Sequence, residues 1–194
     1  MEALLRANLP CDICAVISNN PKAEGLAIAK DYGVVTEVVD HKQYNGRESF
    51  DAALSAAVKE SGPDVIALAG FMRILTKTFL NNFEGKVVNI HPSLLPSFPG
   101  LDTHAKAIKS GSKLHGCTTH LVTPELDCGP IIAQGALRVD QNDTVDTLAK
   151  RVLRLEHLIY PKTVKWLLKK QYNIRNGNLI LDASVQDDSF IFID

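Results

Sequence analysis

The sequence predicts an α/β fold: a doubly wound, mostly parallel sheet of Rossmann-like type, ending in an antiparallel hairpin region and a long helix kinked at proline. Three observations carry that prediction. Short aliphatic runs alternate with helically spaced segments over the first 90 residues, the pattern of successive right-handed βαβ units. Residues 64–70 form a continuous apolar run closed by Gly70, the profile of a parallel strand covered on both faces. A length of 194 residues fits a single domain, 1–194, which buries roughly 70% of its unfolded surface and needs no disulfide staples.

Taken in order, residues 1–7 have helical composition but no cap residue and barely two turns, like the back end of a longer helix. Residues 13–17 read as a buried strand, 18–21 as a turn, 23–32 as a helix closed by Gly33, and 34–39 as a second strand. After a polar loop, 48–60 place Phe50, Ala53, Leu54, Ala57 and Val58 at helical spacing until Gly62-Pro63 breaks the run. Thr76 is positioned to cap a short helix ending near Asn82, and 86–89 is the next strand. Pro92, Pro96 and Pro99 then forbid a regular helix or ladder strand. Residues 103–109 suit a short helix, and 115–122 and 130–139 are strand-like runs joined by a loop of hairpin or meander length. Asp143 or Thr144 caps a helix over 145–170 that Pro161 should kink or restart. Residues 173–181 predict an edge strand, followed by a loose acidic tail.

The formal charge of −1 lacks the basic footprint of a nucleic-acid or membrane-surface binder. Small-molecule partners follow. No run approaches the ~18 apolar residues of a membrane span, so the chain is expected to be cytoplasmic. Cys11, Cys14, Cys117 and Cys128 include one C-x-x-C pair without a second, which favours buried structural thiols in a reducing compartment over a metal site.

Chemistry concentrates at one strand end. Asn89 and His91 stand two apart, so in extended backbone they share a face. With Asp127 they supply an amide donor for an oxyanion, a base that titrates near neutrality and a carboxylate to hold it. The bland alternative is a satisfied histidine and a turn-forming Leu126-Asp127-x-Gly129.

The motifs extend further. Asn89-Ile90-His91-Pro92-Ser93-Leu94-Leu95-Pro96, Pro99-Gly100-Leu101-x-Thr103-His104, His115-Gly116 and Glu125-Leu126-Asp127-x-Gly129-Pro130 occur together with Gly70-Phe71-Met72-Arg73-Ile74-Leu75 and Glu156-His157-x-Ile159-Tyr160-Pro161. This set resembles the phosphoribosylglycinamide formyltransferases, folate-dependent enzymes of purine synthesis, to about residue 170. The resemblance implies transfer of a formyl group from 10-formyltetrahydrofolate to the amine of glycinamide ribonucleotide, with no metal, by a monomer or homodimer. It implies Asn89, His91 and Asp127 as the catalytic trio. Folate falls to Met72, Arg73, Ile74, Leu75, Val122 and Asp127, and the ribonucleotide to Arg47, Gly70, Phe71, Ile90 and Glu156. His104, His115, His120 and His157 are expected to be structural, and His41 carries no signal.

Members of that family begin with a strand and a Gly-Ser-Asn loop, where a helix N-terminus holds the substrate phosphate. Here Met1 falls inside the segment corresponding to the first helix, which implies an N-terminally shortened chain with a start placed at an internal methionine. Such a chain should leave neighbouring strands unpaired and bind the ribonucleotide weakly. Other readings open to the sequence are a non-catalytic folate-binding paralogue, formyltetrahydrofolate deformylase and methionyl-tRNA formyltransferase. The last two normally carry a further domain.

Overall fold

Strand and helix alternate in the computed structural model, which describes residues 1–193. The order is α1 (Glu2–Arg6), β1 (Val16–Ser18), α2 (Glu24–Asp31), β2 (Thr36–Val38), α3 (Arg47–Ser61), β3 (Ile66–Leu68), α4 (Lys77–Leu80), β4 (Val87–His91) and α5 (Thr103–Lys109). It continues with β5 (Leu114–Leu121), β6 (Ile131–Arg138), α6 (Val145–Leu168), β7 (Tyr172–Arg175), β8 (Asn178–Leu181) and β9 (Phe190–Ile193). The βα units pair in parallel, β1 with β2 and β3 with β4, while β5 runs antiparallel to both of its neighbours, β4 and β6. The α/β class and the switch to an antiparallel region are therefore as the periodicity predicts.

Two cores cover the sheet. On one side α6 buries Leu148, Val152, Leu155 and Ile159 against Val88, Cys117, Leu121 and Ala133. On the other, Phe50, Leu54 and Val58 of α3 pack with Phe79, Leu80 and Val87. Tyr160 joins the strands themselves: its hydroxyl lies 2.7 Å from the Leu68 carbonyl and 3.1 Å from that of Val88, gripping β3 and β4 from α6.

The sheet is divided. Among the described residues β1 pairs only with β2, and the five-stranded sheet runs β3-β4-β5-β6-β9. Between the free edges of β1 and β3 lies a cavity of about 320 Å³, walled by Val16 and Ile17, by Ile66 and Ala67, by Leu54 and Val58 from α3, and by Val164 and Leu168 from α6. The Val16 amide donates to Val35 and the Ile66 amide to Lys86. Successive amides of a strand point to opposite edges, so those of Ile17 and Ala67 face the gap.

Several local expectations need correction. The α6 helix runs unbroken through Pro161. The carbonyl that loses its donor belongs to His157, an exposed residue within reach of water, and the buried apolar face continues beyond it. Thr144 caps this helix, accepting from the Thr147 amide at 3.2 Å. Thr76 occupies the N-cap position of α4 but its hydroxyl makes no capping bond; instead its amide donates to the Asp51 carboxylate at 2.6 Å. Residues 173–181 form a separate β7–β8 hairpin rather than an edge strand. Residues 190–193 of the tail are not loose: β9 pairs in parallel with β6, turning Ile191 and Ile193 onto the core while Phe190 and Phe192 stay exposed on the other face. Of the cysteines only Cys117 is buried, and Cys11, Cys14 and Cys128 are exposed. Residues 11–15 precede β1 as coil beside the cavity, which leaves the first two thiols uncovered. No helix among the described residues is long and apolar enough to cross a membrane.

Candidate active site

The β4 strand extends two residues beyond its expected end and carries both Asn89 and His91. Past it the proline-rich loop is fastened from beneath. The Thr118 hydroxyl donates to the Ser93 carbonyl at 2.7 Å and accepts the Leu95 amide at 3.0 Å. Gln134 donates to the Leu95 carbonyl at 2.9 Å, and Ser93 donates to the Ser97 carbonyl at 2.6 Å. These groups are buried or nearly so, and a fully satisfied buried network fixes its loop in one conformation.

That loop presents the Phe98 carbonyl, 3.0 Å from Nε2 of His91. A carbonyl only accepts, so Nε2 carries hydrogen. Nδ1 of His91 faces Oδ2 of Asp127 at 3.4 Å, longer than a good hydrogen bond. Both side chains are more than nine-tenths buried. Asp127 has left-handed backbone, φ 52°, and its Oδ2 accepts the Gly100 amide at 2.8 Å, which ties the 123–129 loop to the proline-rich one. Gly129 permits that loop to close: a Cβ there would lie 1.8 Å from the Leu121 carbonyl. The turn-forming reading of Leu126-Asp127-x-Gly129 is thus realised, and the turn sets the Asp127 carboxylate beside His91.

Asn89, Asp127 and His120 line a cleft of about 80 Å³ with Leu68, Phe71, Arg73, Ile74, Leu75, Val122 and Leu126. Most residues expected to serve folate therefore surround Asn89. Met72 does not line this cleft and is 79% exposed at its rim. Arg73 stacks its guanidinium 4.9 Å above the Phe50 ring, a cation–π contact that holds it over α3. Gly70 adopts φ 64°, turning the chain out of β3, and Phe71 walls both the cleft and the inter-sheet cavity. Ile90 packs into the α6 core. Arg47 is exposed at the start of α3 and lines neither cavity.

Glu156, half-buried on α6, is raised to about 7, chiefly by burial and against the pull of the Met1 ammonium. His115 is pushed down to about 4, first by burial and then by His104, whose Nδ1 lies 3.1 Å from its Nε2. His104 and His120 are lowered too, both mainly by burial. Burial disfavours the charged form in each case. Among the described residues no group of three or more His, Cys, Asp and Glu side chains is arranged to hold a metal ion.

Residue types alone did not single out Phe98, Gly100 or the Thr118–Gln134 network, because each acts through main-chain position or burial. His120 had a usable signal: pairing strands 86–89 and 115–122 antiparallel sets it opposite Asn89.

Residues 1–164 match the model of the formyl transferase family. The chain is 40% identical over 169 residues to phosphoribosylglycinamide formyltransferase of Escherichia coli, covering 87% of this chain and 80% of that protein. It is 46% identical over 169 residues to the trifunctional purine biosynthetic protein adenosine-3 of Gallus gallus, covering 85% of this chain but only 17% of that much longer protein. The solved phosphoribosylglycinamide formyltransferase of Anaplasma phagocytophilum superposes with a TM-score of 0.91 at 42% identity, over 100% of this chain and 92% of that one. Glycinamide ribonucleotide transformylase 1 of Symbiobacterium toebii gives 0.91 at 38%, over 93% and 87%. With a matching domain over most of its length and relatives of this similarity, the chain belongs to the formyl transferase family.

Proposed function

We propose that this protein transfers a formyl group from 10-formyltetrahydrofolate to the primary amine of glycinamide ribonucleotide. The observation that carries the reading is the placement of His91, buried between the Phe98 carbonyl and Asp127 and two positions along β4 from Asn89, with Asn89 and Asp127 both lining the cleft. The amine lone pair attacks the formyl carbon, a C–N bond forms, and the carbonyl electrons move to oxygen. Asn89 and a His91 protonated on both ring nitrogens donate to that oxyanion, the latter from Nδ1, a preorganised stabilisation usually worth several kcal/mol. Asp127, directly or through water, takes the proton that the new ammonium sheds. Collapse breaks the bond to the folate nitrogen, which receives that proton by way of His91.

Ile74, Leu75 and Val122 serve as apolar walls for the pteridine, with Met72 at the rim and Arg73 able to leave Phe50 for the glutamate carboxylate. Gly70, Phe71, Ile90, Glu156 and Arg47 serve the ribonucleotide. A folate binder without catalysis, a deformylase and a methionyl-tRNA formyltransferase are not favoured, since relatives matched over most of both lengths bear the name phosphoribosylglycinamide formyltransferase.

A steady-state assay of formyl transfer to glycinamide ribonucleotide tests the proposal. His91→Ala and Asp127→Ala are each expected to lower kcat on the order of 10²–10⁴-fold while calorimetry still registers folate binding. Near-normal turnover in either variant, or no transfer by the unmodified protein, overturns it.

A further inference from the structure

We infer that His120 is a positioning residue of the formyl-transfer site, accepting a hydrogen bond from the Asn89 side chain and so holding the amide nitrogen toward the reacting oxygen. The inference deepens the function proposed above and rests on it. It starts from strand register. Asn89 of β4 and His120 of β5 are direct antiparallel partners, and the β5–β6 pairing shifts register between Thr119 and His120. The unpaired residue of that bulge is Ile132 on β6, so His120 keeps its place opposite Asn89. Directly paired residues share a face of the sheet, and the ring of His120 lines the cleft that Asn89 and Asp127 also line.

Its hydrogen bonds then determine its tautomer. Nδ1 lies 2.9 Å from the Leu121 carbonyl, which only accepts, so Nδ1 carries the hydrogen. The residue is 2% exposed, and burial favours the neutral ring. Nε2 is therefore a bare lone pair, a pure acceptor. The Asn89 Nδ2 stands 3.3 Å from it, and Oδ1 of Asp127 stands 3.8 Å away. An amide turned the other way would set its oxygen against that lone pair and beside the Asp127 carboxylate, three acceptors together. With the nitrogen there, one N–H goes to His120 and the other is free to face the cleft. An amide oxygen in that place would repel a developing oxyanion rather than stabilise it.

The groups facing His120 are thus Asn89 from β4, Asp127 from the loop after β5, and His91 at longer electrostatic range. Replacing His120 by leucine keeps volume but removes the acceptor; replacing it by glutamine puts an amide oxygen near the position of Nε2. For His120→Leu we expect kcat to fall about 10–100-fold, in the range of one transition-state hydrogen bond, with KM for both substrates changed less than about threefold. His120→Gln should recover most of the loss. In an Asn89→Ala background His120→Leu should add little, because coupled residues are not additive. Equal loss in the leucine and glutamine variants, or full additivity with Asn89→Ala, would show a packing role and overturn the inference.

A second readout does not depend on turnover. In ¹⁵N-labelled protein the Asn89 side-chain amide protons should exchange slowly with solvent, remain slow in His120→Gln, and exchange faster in His120→Leu. An unmodified protein that fails to transfer formyl groups refutes the function and leaves this measurement intact. Fast exchange of the Asn89 side-chain amide in the unmodified protein, or equal exchange in all three proteins, refutes the pinning of Asn89 whatever the activity.

Discussion

The two ends of the sheet are built on opposite terms. At β4–β6 the space beyond the strands is filled with polar groups that answer one another: Thr118, Gln134 and Ser93 hold the loop, the loop holds His91, and Asp127 holds both. Between β1 and β3 lies a cavity with a mostly apolar lining, bordered by backbone edges. Buried polar groups are costly unless paired, so the candidate-site end is stable only as a complete network. An apolar gap costs less per unit, chiefly lost dispersion and transfer energy. The contrast predicts that added side-chain volume is resisted at the first end and accommodated at the second.

The largest test of that contrast inserts the same side chain into each end. Ala133, on β6 and 3% exposed, packs in the α6 core. Ala133→Leu should overpack it and cost about 1–3 kcal/mol. Ala67 borders the cavity from β3, and Ala67→Leu should fill part of it and gain about 1 kcal/mol. Urea unfolding of the two variants checks the pair. Equal destabilisation in both would mean that the gap between β1 and β3 is not open in solution.

How much of this was readable beforehand follows the range of each interaction. Asn89 and His91 were legible because a strand and three prolines, all local, deliver them together. Asp127 was legible because Leu126-Asp127-x-Gly129 is a turn with a close approach built in. The facing of Met72, the stacking of Arg73 on Phe50 and the exposure of Cys11 and Cys14 were not, since each depends on what another element places nearby. β9 was missed for the same reason: four residues after a polar segment show their value only against β6, more than fifty positions earlier. Pro161 misled in the other direction, as the tertiary face of α6 outweighs one missing donor.

A smaller effect separates the two ends by pH. His115, whose ring meets that of Phe98 in the proline-rich loop, has its folded value depressed from 6.5 to about 4, so the stability it contributes is present above 6.5 and is lost as pH falls toward 4. Glu156, which faces the Met1 ammonium near the cavity, has its value raised from 4.5 to about 7. Its contribution is present below 4.5 and is lost as pH rises toward 7. Each term amounts to roughly 2 kcal/mol after allowance for residual solvation. Between 4.5 and 6.5 the slopes oppose, so the unmodified protein should show a shallow profile. Glu156→Gln should unmask stability rising with pH, and His115→Gln should unmask stability falling with pH. Unfolding midpoints across that range check the signs, and parallel profiles in all three proteins would break the assignment.

The finest probe is amide exchange. The Leu121 amide donates to the Pro130 carbonyl at 2.9 Å in the β4–β6 half, and it should open only with the cooperative core. The amides of Ile17 and Ala67 point toward the gap, although their neighbours Val16 and Ile66 are bonded at 2.9 and 2.8 Å. Exposure of such groups requires no more than local solvent entry, so their protection should fall below that of Leu121 by at least about tenfold, or ~1.4 kcal/mol. The comparison within each strand removes differences in overall mobility: Ala67 should exchange faster than Ile66, and Ile17 faster than Val16. Protection of Ala67 and Ile17 equal to that of Leu121 would mean that both edges are hydrogen-bonded in solution, and the distinction between the two ends would then fail at the gap itself.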